Sequence, residues 1–213
     1  MGQLALMFFS SMVIAYSGAL MPGPMLAVVV AESPRQGVRA GPLVVLGHGL
    51  LELALLGLLV LGLGPLLVRE GVQAALSIVG GVMLVVTAAG MLLTVARGTA
   101  RLDWGPPSGN AGGRAVLGGV LSSLSNPYWS IWWATIGLSL LTKAYAIGAA
   151  ALVAFYAGHI LGDLTWYSAV SGVIAAGRRW ITPALYRGML VATACFLLAL
   201  AAWFLVSGVR LST

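Results

Sequence analysis

The sequence predicts an all-α transmembrane protein, a six-helix bundle built from two inverted-topology three-helix repeats whose first helices are broken by proline. Three observations lead there. Hydrophobic residues make up 60% of the chain and charged residues only 8%, a balance that soluble domains do not reach. The 213 residues hold six apolar stretches with short connections, each long enough for the roughly 20 residues that cross a hydrocarbon layer about 30 Å thick. A Gly-His segment with a carboxylate four positions after the His occurs once in each half, GHGLLE at 47–52 and GHILGD at 158–163.

The first helix is predicted over residues 4–31 and is interrupted by Pro22-Gly23-Pro24. It lacks the positive n-region of a secretory signal and is long enough to span, so it is retained as a helix. The second, 42–64, carries His48 and Glu52; the third covers 74–96. The fourth, 115–141, is interrupted at Asn126-Pro127; the fifth, 145–176, carries His159 and Asp163; the sixth covers 184–207. Breakers and charges mark the connections: Glu32 to Arg35, Pro65 to Glu70, Arg97 to Arg114 with Pro106 and Pro107, Lys143, and Gly177 to Pro183. The chain is thus a single integral membrane domain, residues 1–213, with repeat one at about 1–97, a loop at 98–114 and repeat two at about 115–213. Because each half has three crossings, the second half enters the membrane from the opposite side.

The net charge of +6 does not point to nucleic acid, since the basic residues lie in the gaps between apolar runs instead of forming a basic face. They read as topology signals. Arg35, Arg39, Arg97, Arg101, Arg114, Arg178, Arg179 and Arg187 fall on one side, against Arg69, Lys143 and Arg210 on the other. The positive-inside rule places the protein in the cell membrane as a multi-pass chain, both termini outside and the 97–114 loop in the cytoplasm. Cys195 is the only cysteine, which excludes an intrachain disulfide, a thiolate metal cluster and a dithiol shuttle.

Glu52 and Asp163 are the only carboxylates inside predicted spans, and each costs about 2.5–3.5 kcal/mol at the centre of an isolated membrane helix. Four-residue spacing stacks His48 on Glu52 and His159 on Asp163. Tyr156, Trp166 and Tyr167 extend the second stripe. Each proline in a helix also leaves the carbonyl four residues earlier without its donor, here Gly18, Leu20 and Ser123. Trp129, Trp132 and Trp133 follow Asn126-Pro127 on one face at mid-span, where they pack against neighbouring helices or offer ring faces to a cation. Gly80, Gly81, Gly118 and Gly119 read as close helix contacts, and glycine-rich faces allow a homodimer.

With Pro22-Gly23-Pro24 in the first helix and Asn126-Pro127 in the fourth, the chain resembles the LysE/RhtB family of amino-acid exporters across its whole length. His48, His159 and Met25 depart from that family's usual pattern. The resemblance implies export of a small amino acid or a related cationic or zwitterionic solute. In that reading the broken helices hold the solute's carboxylate, and Glu52 or Asp163 takes its ammonium group or a counter-transported proton. The substrate and coupling set is then His48, Glu52, His159, Asp163, Pro22, Gly23, Pro24, Asn126, Pro127, Trp129, Trp166 and Tyr167. A divalent-metal transporter is the alternative, with His48, Glu52, His159 and Asp163 as ligands, since imidazole favours zinc or nickel over magnesium. No cofactor is expected beyond the transported or coupling ion. The chain carries neither a metalloprotease or nucleophile motif nor a phosphate-binding loop, so enzyme and ATP-driven pump are disfavoured.

Overall fold

A computed structural model of the chain describes residues 1–100, 109–177 and 179–212. The elements are α1 (Gly2–Ala19), α2 (Pro24–Gln36), α3 (Ala40–Leu58), α4 (Gly64–Leu67), α5 (Glu70–Ala96), α6 (Ala111–Leu124), α7 (Pro127–Trp132), α8 (Leu138–Ile147), α9 (Ala149–Ala176) and α10 (Pro183–Ser212). Among the described residues there is no strand. Four helical stretches, Gly2–Ala19, Pro24–Leu67, Glu70–Ala96 and Pro183–Leu211, are long and apolar enough to cross a membrane. The protein is an all-α, multi-pass membrane protein.

The breaks fall where proline puts them. Pro24 opens α2 and Pro127 opens α7, each at the first helical position, where a missing N–H costs nothing. The carbonyls expected to be left open are not all open: Gly18 accepts from the Met21 N–H at 3.1 Å and Ser123 from the Asn126 N–H at 3.0 Å. A tight turn at each break re-pairs them. Asn126 caps α7, its Oδ1 accepting from the Tyr128 N–H at 3.1 Å. Gly23 offers α2 no side-chain cap.

Several boundaries differ from the sequence reading. Pro34 lies inside α2, which runs on to Gln36 although the proline supplies no N–H to the Val30 carbonyl; the Ser33 hydroxyl bonds the Val29 carbonyl at 2.6 Å. Lys143 is helical, within α8; the reversal comes at Gly148, whose φ of 124° favours glycine. The second predicted span becomes α3 followed by a π-helical turn over Leu59–Leu63, where Gly62 adopts a φ of 99°. Residues 101–108 of the long loop, with Arg101, Pro106 and Pro107, lie outside the described residues, as do Arg178 and Thr213.

Packing is organised by glycines that let backbones touch. α1 and α9 run in the same direction, a Cβ on Gly158 colliding with the Phe8 carbonyl and one on Gly162 lying 2.8 Å from the Met12 carbonyl. α3 meets α6 where Gly47 faces the Val116 carbonyl and Gly119 the Val44 carbonyl. α5 and α10 are antiparallel, Gly81 against Leu205 and Gly208 against Ile78. A Cβ on Gly80 would stand 2.8 Å from Pro127, which seats α7 on α5. The outer faces stay apolar: Leu6 is 70% exposed, Val153 68% and Val173 72%. Polar residues such as Ser11, Glu52 and Ser171 are buried instead, the distribution a lipid solvent selects.

Candidate functional site

His48 and Glu52 are one turn apart on α3, and His159 and Asp163 are one turn apart on α9. The two helices face each other in antiparallel fashion, Gly41 against the Tyr167 backbone and Gly49 against Ile160. The four side chains therefore meet. His48 Nε2 lies 3.1 Å from Glu52 Oε1 and 3.4 Å from Asp163 Oδ2. His159 Nε2 lies 3.1 Å from Glu52 Oε2 and 3.6 Å from Asp163 Oδ2. None of the four residues is more than 6% exposed.

The surroundings orient this cluster. Glu52 Oε1 accepts the indole N–H of Trp129 at 2.9 Å and of Trp133 at 2.7 Å. These two tryptophans do more than pack, and what they present is the ring edge, not the face. A π-helical turn over Trp133–Gly137 follows α7 and carries Trp133 into the core, while Trp132 stacks on His159 at 4.8 Å between ring centres. Trp132 also donates to Ser17 Oγ at 3.1 Å, tying α7 to α1. Tyr156 donates to the Gly49 carbonyl at 2.6 Å, adding a link between α9 and α3.

The hydroxyl of Ser123 touches both a carbonyl and an imidazole nitrogen. It donates its single proton to the Gly119 carbonyl at 2.8 Å, so toward His48 Nδ1, 2.7 Å away, it acts as acceptor. In that arrangement His48 Nδ1 carries a proton, and a neutral ring presents an Nε2 lone pair to the two carboxylates. His159 Nδ1 has no hydrogen-bond partner among the described residues; nor do Glu52 Oε2 and Asp163 Oδ2.

A cavity of about 50 Å³ opens on the cluster, and Ala15, Gly18, Met25, Asn126, Trp129 and Tyr167 are among its walls. Of the residues singled out from sequence, His48, Glu52, His159, Asp163, Asn126, Trp129 and Tyr167 line it. Gly23 and Pro24 are buried at the break just behind it; a Cβ on Gly23 would be 3.7 Å from Asn126 Nδ2, so the two breaks abut. Pro127 is buried against Gly80. Pro22 is exposed, and Trp166 stands off the cavity, its Nε1 buried and without a hydrogen-bond partner among the described residues. Ser123 and Trp133 were not identified from sequence as site residues. A larger groove of about 850 Å³, lined by Val28, Met83, Met91, Leu121 and Leu190 among others, has no carboxylate or imidazole in its walls.

The sequence profile of the LysE type translocator family matches residues 16–208. The chain belongs to this family. Comparison with curated proteins and with solved structures yields no match. LysE type translocators are transporters, and the matched span of this translocator takes in both helix breaks and all four residues of the buried cluster.

Proposed function

We propose that this translocator is a secondary exporter of a small amino acid or related cationic or zwitterionic solute, coupled to protons at the His48, Glu52, His159 and Asp163 cluster. The observation that carries the reading is that these ionisable groups meet, buried, at a cavity that Met25 and Asn126 of the two broken helices also line, the breaks abutting at Gly23 and Asn126. An ammonium group fits the carboxylates. A carboxylate group fits the uncapped start of α2, where Met25 lines the cavity and the first backbone N–H groups have no side-chain partner. The cavity has room for about three waters, so the arrangement is a closed one and the solute enters when α3 and α9 part.

Two further features support alternating access through an inverted repeat. The glycine before each cluster histidine, Gly47 and Gly158, abuts a carbonyl of the other half's broken helix, Val116 and Phe8 respectively. The third helices of the two halves, α5 and α10, pair with each other. Exchange of the halves reproduces this pattern. In this reading the termini lie outside and the 97–114 loop in the cytoplasm.

The test is transport in proteoliposomes under an imposed pH gradient, with a panel of labelled amino acids and related amines. Gradient-driven movement of at least one of them is expected, lowered tenfold or more by Glu52→Gln and by Asp163→Asn. Failure of every solute to move, or wild-type rates in both variants, overturns the reading.

A further inference from the structure

The cluster has the geometry of a metal site. Donor atoms bound at roughly 2.0–2.1 Å to a tetrahedral ion stand about 3.3 Å apart. His48 Nε2 stands 3.4 Å from Asp163 Oδ2, and His159 Nε2 stands 3.1 Å from Glu52 Oε2 and 3.6 Å from Asp163 Oδ2, which bracket that spacing. One donor atom from each residue lies within 4.8 Å of all the others. Hydrogen bonds alone account for this poorly, because each Nε2 sits near both carboxylates and one N–H can aim at only one.

Three independent details point the same way. In the neutral ring with its Nδ1–H on Ser123, His48 turns an Nε2 lone pair toward Glu52 Oε1 and Asp163 Oδ2, a repulsive contact that a cation between them reverses. A ring N–H held by an outer partner is also how metal-bound imidazoles are oriented. Glu52 Oε2 and Asp163 Oδ2 are buried, without hydrogen-bond partners among the described residues, and both lie beside His159 Nε2, while Trp129 and Trp133 occupy Glu52 Oε1. With neutral imidazoles the cluster carries two negative charges in a buried site, which one divalent ion neutralises.

We infer that His48 Nε2, His159 Nε2, Glu52 Oε2 and Asp163 Oδ2 bind one divalent transition-metal ion of the zinc, cobalt and nickel class. Two nitrogen and two oxygen donors suit these ions better than magnesium or calcium, which prefer oxygen throughout. The inference rests on the cluster being the cation-handling centre of the transporter and names a cation that it holds.

Protein purified in detergent and stripped with chelator is titrated with Zn²⁺ and with Co²⁺. One equivalent of each per chain is expected, with visible bands of four-coordinate Co²⁺ and, on the Zn²⁺-loaded wild type, an X-ray absorption spectrum showing two imidazoles. His48→Gln and His159→Gln lose stoichiometric binding, and Ser123→Ala weakens it about tenfold or more. Absence of binding by the wild type, a spectrum without imidazole scattering, or full binding in both histidine variants overturns the inference. The spectra use the wild type, so a variant that misfolds does not blunt the test. A wild type that exports amino acids but binds no metal removes this inference and leaves the exporter standing; one that binds metal and moves no amino acid does the reverse.

Discussion

At the scale of single residues, the carboxylate of Glu52 is held by indole edges, and this has a measurable cost when undone. Trp133→Phe removes the 2.7 Å donor from a buried group and is expected to lower stability by about 2 kcal/mol, hydrogen bonds to charged groups being the stronger kind. Trp203→Phe, at a position 56% exposed, should change it by less than about 0.5 kcal/mol; thermal unfolding in one detergent compares the two. The glycines separate in the same assay. Gly158→Ala drives a methyl into the Phe8 carbonyl and should cost about 1–3 kcal/mol. Gly57→Ala meets nothing within 4 Å and should gain up to about 1 kcal/mol from helix propensity. His48, Glu52, His159 and Asp163 were legible in the sequence because ionisable groups inside apolar runs are conspicuous. Ser123 and the tryptophan N–H groups were not, since a hydroxyl or an indole in a helix has no periodic signature of where it points.

At the scale of elements, the two breaks are unlike. α7 begins with a side-chain cap from Asn126, and α2 begins with bare glycine. Asn126→Ala should therefore cost about 1 kcal/mol, with Asn126→Asp restoring most of it. Gly23→Ala should be tolerated, because its φ of −145° is extended backbone open to any residue and the nearest atoms to a new Cβ are 3.6 and 3.7 Å away. Chemical denaturation followed by circular dichroism checks both. Proline made these breaks readable from sequence. The π-helical turns after α3 and α7 were missed because an extra residue in a helical turn follows from packing, here of Trp133 against Phe155 and His159, and not from any breaker.

For the whole molecule, membrane residence and an all-helical fold were readable from composition, whereas the ends near Pro34 and Lys143 were not. Hydropathy registers where polar residues begin, and a helix continues past that point while its backbone stays paired. The orientation carries its own prediction. In a Cys195→Ala background, Thr99→Cys should react with an impermeant maleimide in inside-out vesicles and not in whole cells; labelling in whole cells reverses the topology. The glycine contacts have a mechanical consequence as well. Backbone locks to backbone within the α1–α9 and α3–α6 couples, while α3 and α9 share such a lock at Gly41 and otherwise meet through side chains. In the transport reading proposed above, a small tilt about Gly41 would draw each imidazole away from the acid on the facing helix while leaving its own within reach. On that proposal, unlatching the gate and loosening the cargo are one movement.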